Sequence, residues 1–254
     1  MKCKKIYLTL RGGGIPFHYK KNKFIYDNLF KFSNKISSPS KFIIINLPKK
    51  YNINYLPNPI DKNLFKPPAQ SVKRVNLLWV RAFSKIYNPK TPINALKILI
   101  VKYPNLKLTM VGPDKGELSK CQKLIKKLKL ENNINILGNI DHYQLPEIYK
   151  NHYIYLNTTS FESFGSALCE AAACQMVIIS SIVGEIPLTW EDKKNILFFK
   201  NKDHSDLASK IEFVLSNPLI SESISKESLK RIQCYSTDVI SEKWIDYLNQ
   251  GVNS

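Results

Sequence analysis

The 254-residue sequence lacks a long apolar segment. A helix that crosses a bilayer needs about 18 to 20 consecutive apolar residues, whereas the apolar runs here, such as Phe42–Ile45, have the length of strands. The amino-terminal apolar stretch, Ile6–Leu10, follows a basic start but is too short for the core of a signal peptide. The sequence therefore excludes a spanning helix in these residues, and we expect a cytoplasmic protein.

Paired cysteines and clustered histidines are also missing. The five cysteines form no C-x-x-C pair, and the four histidines lack the i, i+4 spacing of a helical metal site. An odd number of unpaired cysteines is typical of reduced thiols rather than of a disulfide framework. We therefore expect metal-independent chemistry and no bound cofactor.

Acidic residues are scarce, and unevenly so. The formal charge is +18, and residues 1–73 contribute +13 of it with 15 basic and two acidic residues. A basic amino-terminal part favours an anionic partner: membrane lipid headgroups, a phosphorylated acceptor or nucleic acid. A solvated surface rich in Lys and Asn through coding bias fits the composition equally well. Because no nucleic-acid motif or stacking array of Arg and aromatic residues accompanies the lysines, we expect no nucleic-acid partner.

From about residue 75 the sequence alternates between short apolar runs and segments of helical period, which predicts a doubly wound parallel sheet. Upstream, strands are predicted at 6–10 and 42–45 with a helix at 24–32, and the proline-rich segment 56–68 is typical of an interdomain linker. The predicted strands of the larger sheet are 75–80, 106–111, 134–137, 153–156, 176–180 and 196–199, and its predicted helices are 91–103, 118–130, 144–150, 166–174, 207–215, 221–232 and 239–248.

Two carboxylates eight positions apart, Glu162 and Glu170, flank Gly165 at the start of a helix rich in small residues. The first N–H groups of a helix lack intrahelical partners and carry the positive end of its dipole, so phosphate is the natural ligand there. Glu170 is well placed to accept hydrogen bonds from a second polar part of the same ligand. A phosphate flanked by hydroxyl groups indicates a nucleotide sugar.

With its neighbours in order, this motif resembles the family 4 glycosyltransferases, retaining enzymes of the GT-B architecture with two Rossmann-like domains. The resemblance covers residues 5 to about 249. The segments that carry it are the linker Leu56–Asp61, the strand Leu106–Gly112, the loop Ile136–Ile140, the E-x7-E motif from Glu162 to Glu170, and the late helix Asp203–Pro218.

The resemblance implies a role for each part of the motif. Glu162 would be the catalytic residue and would hold the hydroxyl groups of the donor sugar. The backbone of Phe164, Gly165 and Ser166 would receive the distal phosphate, and Glu170 would bind the ribose diol. Each carboxylate, taken alone, has an alternative to its binding role. Glu162 would then be an ordinary loop residue, and Glu170 would be a residue on the helix surface.

Other donor-site residues follow from segments that depart from the family pattern. The family's strand-end Arg and Lys are displaced here, so Arg81 and Lys85 are the predicted diphosphate ligands, with a surface Arg and Lys as the alternative. Glu185 replaces the second glycine of a turn in which glycine allows a close backbone approach to the sugar.

Two loops complete the predicted donor site. Arg11 stands where the family commonly has a His beside a glycine, and with Gly13 it would face the donor sugar across the cleft. Asn139 belongs to the loop on the base side.

The resemblance also implies a shortened first domain, because the sequence starts after the family's opening strands. We predict an α/β protein of GT-B type with a truncated amino-terminal Rossmann-like domain and linker at 1–68, a complete carboxyl-terminal donor-binding domain at 69–232, and a helix at 233–254 that packs back towards the amino-terminal part. A sheet of two or three strands has an unprotected edge. Either a partner chain completes the domain, or the sequence is a fragment or a degenerate paralogue.

Together these features predict a retaining transferase that moves a hexose-type sugar from a UDP- or GDP-linked donor to a hydroxyl of a saccharide or lipid-linked acceptor. Peripheral contact with an anionic membrane at its inner face is part of this expectation. The alternative is a non-catalytic subunit that binds a nucleotide sugar and works with a separate acceptor-domain protein. The base, the sugar and the acceptor stay open, because specificity in such folds lies in loops and pocket shape.

Overall fold

The computed structural model describes residues 5–69 and 76–250, which form two parallel sheets with helices around them. The first sheet has the strand order β1-β2-β3, and the second has the order β6-β5-β4-β7-β8-β9. The strands are β1 Tyr7–Thr9, β2 Lys35–Ser38, β3 Ile53–Tyr55, β4 Asn76–Val80, β5 Lys107–Val111, β6 Ile134–Gly138, β7 Ile154–Asn157, β8 Val177–Ser181 and β9 Leu197–Phe199. The helices are α1 Ile15–Lys21, α2 Lys23–Lys31, α3 Lys41–Ile45, α4 Lys90–Leu99, α5 Leu118–Leu128, α6 Leu145–Lys150, α7 Ser166–Ala173, α8 Ile186–Thr189, α9 His204–Ser216, α10 Pro218–Arg231 and α11 Thr237–Asn249.

The inner strands of the six-stranded sheet, β4, β7 and β8, are buried on both faces, as their continuous apolar runs predict, whereas alternate residues of the edge strand β6 are exposed. In β4, Leu77 and Trp79 pack into one core and Leu78 into the core on the opposite face. The chain runs outward from β4 through β5 to β6 and then places β7 on the other side of β4. The strand order therefore reverses between β4 and β7, and open α/β sheets bind ligands in the crevice at such a point.

The three-stranded sheet has a core of its own, which includes Leu10, Phe30 and Ile43. The predicted strand at 42–45 is wrong, because this segment is helix α3, whose start is capped by the hydroxyl of Ser40. An apolar run of four residues fits either a strand or a helix. The strand lies earlier, at β2, where two buried serines follow a single isoleucine and so hide the apolar signal.

Helix α11 returns to the three-stranded sheet. The ring of Tyr247 lies 6.2 Å from that of Tyr7, and Lys35 Nζ donates a hydrogen bond to the carbonyl oxygen of Tyr247. The linker is fixed at the opposite end of α11, because Ile60 N–H donates over 2.8 Å to the carbonyl oxygen of Tyr235, which lies just before the helix begins. The predicted domain boundaries after residues 68 and 232 stay predictions.

Membrane-spanning length and thiol state are two features that the composition bears on. Among the helices of residues 5–69 and 76–250, none combines the length and the hydropathy of a membrane span. The predicted reduced state fits the four cysteines in the described ranges, which have free thiols. Cys3 and Val75, the predicted first residue of β4, lie outside the described residues.

Candidate functional site

The residue after β4 and the last residue of β7 meet in the crevice between these strands. Arg81 donates from Nε and Nη2 to Oδ1 of Asn157 over 3.3 and 3.2 Å. Asn157 is fully buried, and its Nδ2 donates to the hydroxyl of Ser180 on β8 over 2.9 Å. Three neighbouring strands therefore hold the guanidinium at the carboxyl edge of the sheet.

Arg81 and Glu162 form an ion pair in this crevice. Nη2 of Arg81 lies 2.7 Å from Oε2 of Glu162, and the two side chains are only 14% and 13% exposed. The other oxygen, Oε1, accepts hydrogen bonds from the backbone N–H groups of Ser163 and Phe164 over 3.0 and 3.4 Å. Charge-assisted hydrogen bonds are stronger than neutral ones, so the carboxylate is fixed by a cation on one side and by backbone dipoles on the other.

The turn after β8 supports the backbone of Glu162. Glu185 N–H donates to the carbonyl oxygen of Glu162 over 2.9 Å. The preceding residue, Gly184, has a φ of +54°, and a Cβ atom there would lie 2.1 Å from the same oxygen. Because only glycine permits this approach, Gly184 is required for the position of the Glu162 loop.

Helix α7 begins directly after that loop. Gly165 precedes it with a φ of +88°, and Ser166 is its first residue. The ring of Phe164 is buried and packs against Tyr235 with 5.5 Å between the centroids. The first turn of α7 therefore brings N–H groups without intrahelical partners, and the positive end of the helix dipole, next to the carboxylate of Glu162.

Glu170 lies on the second turn of α7 and is buried, so it is not the helix-surface residue of the alternative interpretation. Its Oε2 accepts a hydrogen bond from the hydroxyl of Tyr149 over 3.0 Å, and its Oε1 lies 3.2 Å from Nε2 of His142. Burial, with the nearby Glu170 carboxylate, raises the pKa of Tyr149 well above its usual value. Tyr149 therefore remains a hydrogen-bond donor to Glu170 at all physiological pH values.

Asn139 and Lys85 lie apart from the ion pair. Asn139 is exposed, in the loop between β6 and the short 3-10 turn that carries His142. Lys85 lines a cavity of about 340 Å³ beyond the end of β4, and the lining residues do not include Arg81 or Glu162. They are Lys85, Asn88, Pro89, Lys90, Thr91, Glu117 and Lys202.

The loop after β1 contacts the Glu162 loop from the side of the small sheet. A Cβ atom on Gly13 would lie 2.0 Å from the ring of Phe161, the residue before Glu162. Glycine thus allows the two loops to touch. Arg11, two residues earlier, is exposed.

Sequence reasoning missed five residues of this site. Asn157 carries a recognisable signal, since it is a polar residue at the end of an apolar strand on the crevice side. Tyr149 and His142 carry none, because nothing in a local pattern pairs a helix tyrosine or a loop histidine with a glutamate 21 or 28 residues later. The partners of the Glu185 carboxylate, Ser40 and the N–H of Phe42, lie 145 and 143 residues away in the sequence and are equally hidden.

No group of three or more His, Cys, Asp or Glu side chains within residues 5–69 and 76–250 is arranged to hold a metal ion. Arg81, Glu162 and Glu170 bring charge to the crevice, together with the amino-terminal end of α7.

A family model described as "Glycosyl transferases group 1" matches residues 61–231, which include every strand of the larger sheet. Among curated proteins, the gpi3 subunit of phosphatidylinositol N-acetylglucosaminyltransferase from Schizosaccharomyces pombe is 25% identical over 175 residues, 68% of this chain and 37% of that protein. Poly(ribitol-phosphate) alpha-N-acetylglucosaminyltransferase from Staphylococcus aureus is 24% identical over 230 residues, 90% of this chain and 41% of that protein. The chain thus spans about two fifths of the length of these relatives.

Solved structures share the arrangement of both sheets. HepE from Anabaena, in a complex with UDP and glucose, matches 96% of this chain and 71% of its own with a TM-score of 0.83 at 18% identity. Sucrose-phosphate synthase from Thermosynechococcus elongatus matches 98% of this chain and 68% of its own with a TM-score of 0.83 at 19% identity. These matches confirm the predicted GT-B type of α/β fold.

Proposed function

The chain belongs to the group 1 glycosyltransferases, and on that premise we propose that its crevice binds a nucleotide-diphosphate sugar and transfers the sugar to an acceptor hydroxyl. The observation that carries the proposal is the ion pair of Arg81 and Glu162 at the first turn of α7. It joins a cation, a carboxylate and free backbone N–H groups at the point where the strand order reverses. A diphosphate linked to a sugar needs this combination of groups.

In this proposal the donor lies across α7. Its distal phosphate meets the N–H groups at Gly165 and Ser166 and takes over that of Phe164, which donates to Oε1 of Glu162 over 3.4 Å in the structure, and its ribose diol donates to Glu170. Arg81 contributes Nη1, which takes part in none of its hydrogen bonds to Asn157 and Glu162. As the glycosidic bond breaks, negative charge grows on the diphosphate, and a fixed guanidinium with a helix dipole stabilises it.

We propose that the sugar is of hexose type and is transferred with retention of its anomeric configuration. The leaving diphosphate then takes the proton of the acceptor hydroxyl on the same face, so the reaction needs no separate base. Glu162 holds the hydroxyl groups of the sugar and stabilises positive charge at the ring. Arg81 and α7 supply the charge that a metal ion supplies elsewhere, so we propose a metal-independent reaction without a cofactor.

Replacing Glu162 tests the proposal. Glu162→Ala and Glu162→Gln are expected to lower transfer from UDP- and GDP-linked sugars by at least about a hundredfold, with the fold retained in circular dichroism. The matched control is Glu191→Gln, since Glu191 is an exposed carboxylate whose ion pair to Lys194 lies on the surface. Unchanged turnover in both Glu162 variants would rule the proposal out.

A second function is supported by the name of one relative. The gpi3 protein of Schizosaccharomyces pombe is named as a subunit of its transferase, so the alternative is a non-catalytic subunit that binds a nucleotide sugar and works with a partner chain. Calorimetry with UDP and GDP, paired with a transfer assay on the isolated chain, separates the two functions, because binding without turnover favours the subunit.

We propose a peripheral location at the cytoplasmic face of an anionic membrane, where a saccharide or a lipid-linked acceptor is presented. Two features of α1 and α2 support it. Phe17, Phe24 and Phe32 are 60%, 80% and 71% exposed. Exposed lysines surround them at positions 20, 21, 23 and 31. Aromatic side chains among lysines are the composition with which helices bind the surface of an anionic bilayer.

A further inference from the structure

Glu185 connects the two sheets through a completely buried carboxylate. Its Oε2 accepts a hydrogen bond from the hydroxyl of Ser40 over 3.0 Å and a second from the N–H of Phe42 over 2.7 Å. Both donors belong to the first turn of α3, which packs on the three-stranded sheet, whereas Glu185 begins α8 beside the six-stranded sheet. Charge-assisted bonds to a buried carboxylate are among the stronger polar contacts in proteins.

The same residue is bonded to the loop of the proposed catalytic carboxylate. While its side chain binds α3, its backbone N–H donates to the carbonyl oxygen of Glu162 over 2.9 Å. A single residue therefore joins the amino-terminal part of the chain to the backbone of Glu162.

A second contact between the same two regions lies beside it. The rings of Phe42 and Phe161 meet edge to face with 5.2 Å between their centroids, and Phe161 also lies against Gly13. Phe42 therefore reaches the catalytic loop through its ring while its N–H is held by Glu185. The aromatic contact and the carboxylate contact close the same side of the crevice.

A gain in stability does not explain why the carboxylate of Glu185 is buried. Its second oxygen, Oε1, is buried without a hydrogen-bond partner, and a buried polar atom without a partner costs about 1 to 3 kcal/mol. The nearby charged or titratable groups are Lys41 and Tyr55, and no ion pair within 4 Å joins either to Glu185 among the described residues. A carboxylate that is expensive to bury, and whose bonds join two separate elements, indicates a role in positioning.

We propose that Glu185 is a positioning residue that holds α3 closed against the Glu162 loop and so sets the geometry of the crevice for transfer. The inference rests on the proposed function for its effect on catalysis, whereas the closed contact itself can be measured without any substrate. Glu185 acts through α3 and the backbone of Glu162, and not by contact with the sugar.

The test compares Glu185→Ala with Glu185→Gln, because the glutamine keeps an acceptor for Ser40 and Phe42 and the alanine does not. In Glu185→Ala we expect faster hydrogen exchange at the amide of Phe42, by about tenfold or more, and a fall in kcat of about ten- to a hundredfold, the size expected for a misplacement of about 1 Å. The Kd for UDP should change less than about threefold, since the groups proposed to bind the nucleotide are untouched. Glu185→Gln should restore both the slow exchange and most of kcat.

The control is Ser221→Ala, which removes a buried hydrogen bond to the carbonyl oxygen of Val214, on the far side of the larger sheet. It should lower the Tm without changing either the exchange of the Phe42 amide or kcat. If hydrogen exchange at the Phe42 amide is unchanged in Glu185→Ala, the inference is overturned, whatever happens to turnover. It is also overturned if Glu185→Gln is as defective as Glu185→Ala in exchange and in kcat. If the wild-type chain binds UDP but transfers no sugar, the transferase proposal fails on its own, and the exchange data still decide whether Glu185 holds the two parts together.

Discussion

At the scale of single residues, the crevice depends on the guanidinium of Arg81, whose hydrogen bonds fix its orientation. Arg81 bonds to Asn157 and to Glu162 through two of its three nitrogens. A planar fork of N–H groups can do this and still face a phosphate with the third nitrogen, whereas an ammonium group cannot. Arg81 therefore suits this arrangement of hydrogen bonds better than a lysine at the same position would.

Arg81→Lys is therefore expected to weaken binding of a nucleotide-diphosphate sugar by about tenfold or more, since the variant keeps the charge but loses the fork. Lys85→Met is expected to have the smaller effect, because Lys85 lines the neighbouring cavity and not the ion pair. Calorimetric titration of the two variants with UDP-glucose gives the comparison. A larger loss in Lys85→Met would move the diphosphate site to that cavity.

The buried carboxylate of Glu185 gives a prediction for stability against pH. Burial raises its pKa above the ordinary 4.5, against the opposing effect of the hydrogen bonds from Phe42 and Ser40. A group whose pKa is raised on folding favours the folded state in its protonated form, so its contribution is complete below about pH 4.5 and is lost as the pH rises through the raised pKa.

The side chain in the Glu185→Gln variant cannot ionise, so its contribution to stability lacks this pH dependence. We therefore expect the Tm of the variant minus that of the wild type to increase from pH 4 to pH 7, as scanning calorimetry at several pH values would measure. A difference that stays constant or shrinks with rising pH would contradict a raised pKa at this position.

At the scale of elements, the entry to α7 depends on a backbone conformation that favours glycine. Gly165 has a φ of +88°, and a Cβ atom there would lie 3.0 Å from Cδ1 of Leu168 and 3.5 Å from Cγ of Glu162. A side chain at this position would therefore strain the turn and press on the Glu162 loop at the same time.

Gly165→Ala should thus lower the free energy of unfolding by about 1 to 3 kcal/mol and also weaken UDP binding. Gly116→Ala is the matched control, because Gly116 has a similar φ of +93° but open space around its Cβ position. The control should lose stability by backbone strain alone and keep its affinity for UDP. Urea unfolding and calorimetry on both variants test this, and equal affinities in the two would remove the first turn of α7 from the proposed phosphate site.

The elements differ in how far the sequence predicts them. The inner strands β4, β7 and β8 of the larger sheet are short apolar runs buried on both faces, so their positions follow from hydrophobicity. The prediction misses strand β2, because its buried serines look polar, and it assigns a strand to helix α3, because the isoleucines of that helix look like a strand. The site divides in the same way: the motif around Glu162 is local in sequence, whereas the partners of Glu170 and Glu185 come from distant segments that only the fold brings close.

At the scale of the whole molecule, the uneven charge has a structural counterpart. The basic amino-terminal part also carries the exposed aromatic residues of α1 and α2, and Lys21 Nζ lies 4.6 Å from the ring centroid of Phe17. Lysines that flank aromatic rings in this way allow the rings to enter an interface while the charges stay at the headgroups.

Flotation with vesicles tests whether this surface binds lipid. The wild type should float with vesicles that contain phosphatidylglycerol and not with pure phosphatidylcholine vesicles, and Phe17→Ser with Phe24→Ser should reduce binding by at least about tenfold. Val101→Ser with Leu219→Ser is the matched control, since these residues are 88% and 81% exposed on the carboxyl-terminal part. Equal losses in the two double variants, or no flotation of the wild type, would contradict membrane contact through α1 and α2.

The return of α11 to the small sheet has a consequence for how the chain folds during its synthesis. Lys35 on β2 meets its partner Tyr247 only after another 212 residues have been added. Contacts so distant in sequence form late, and a nascent chain presents its first residues to the cell long before its last. The contact between the small sheet and α11 therefore forms last, long after the synthesis of the residues that build the sheet's own apolar core, such as Leu10, Phe30 and Ile43.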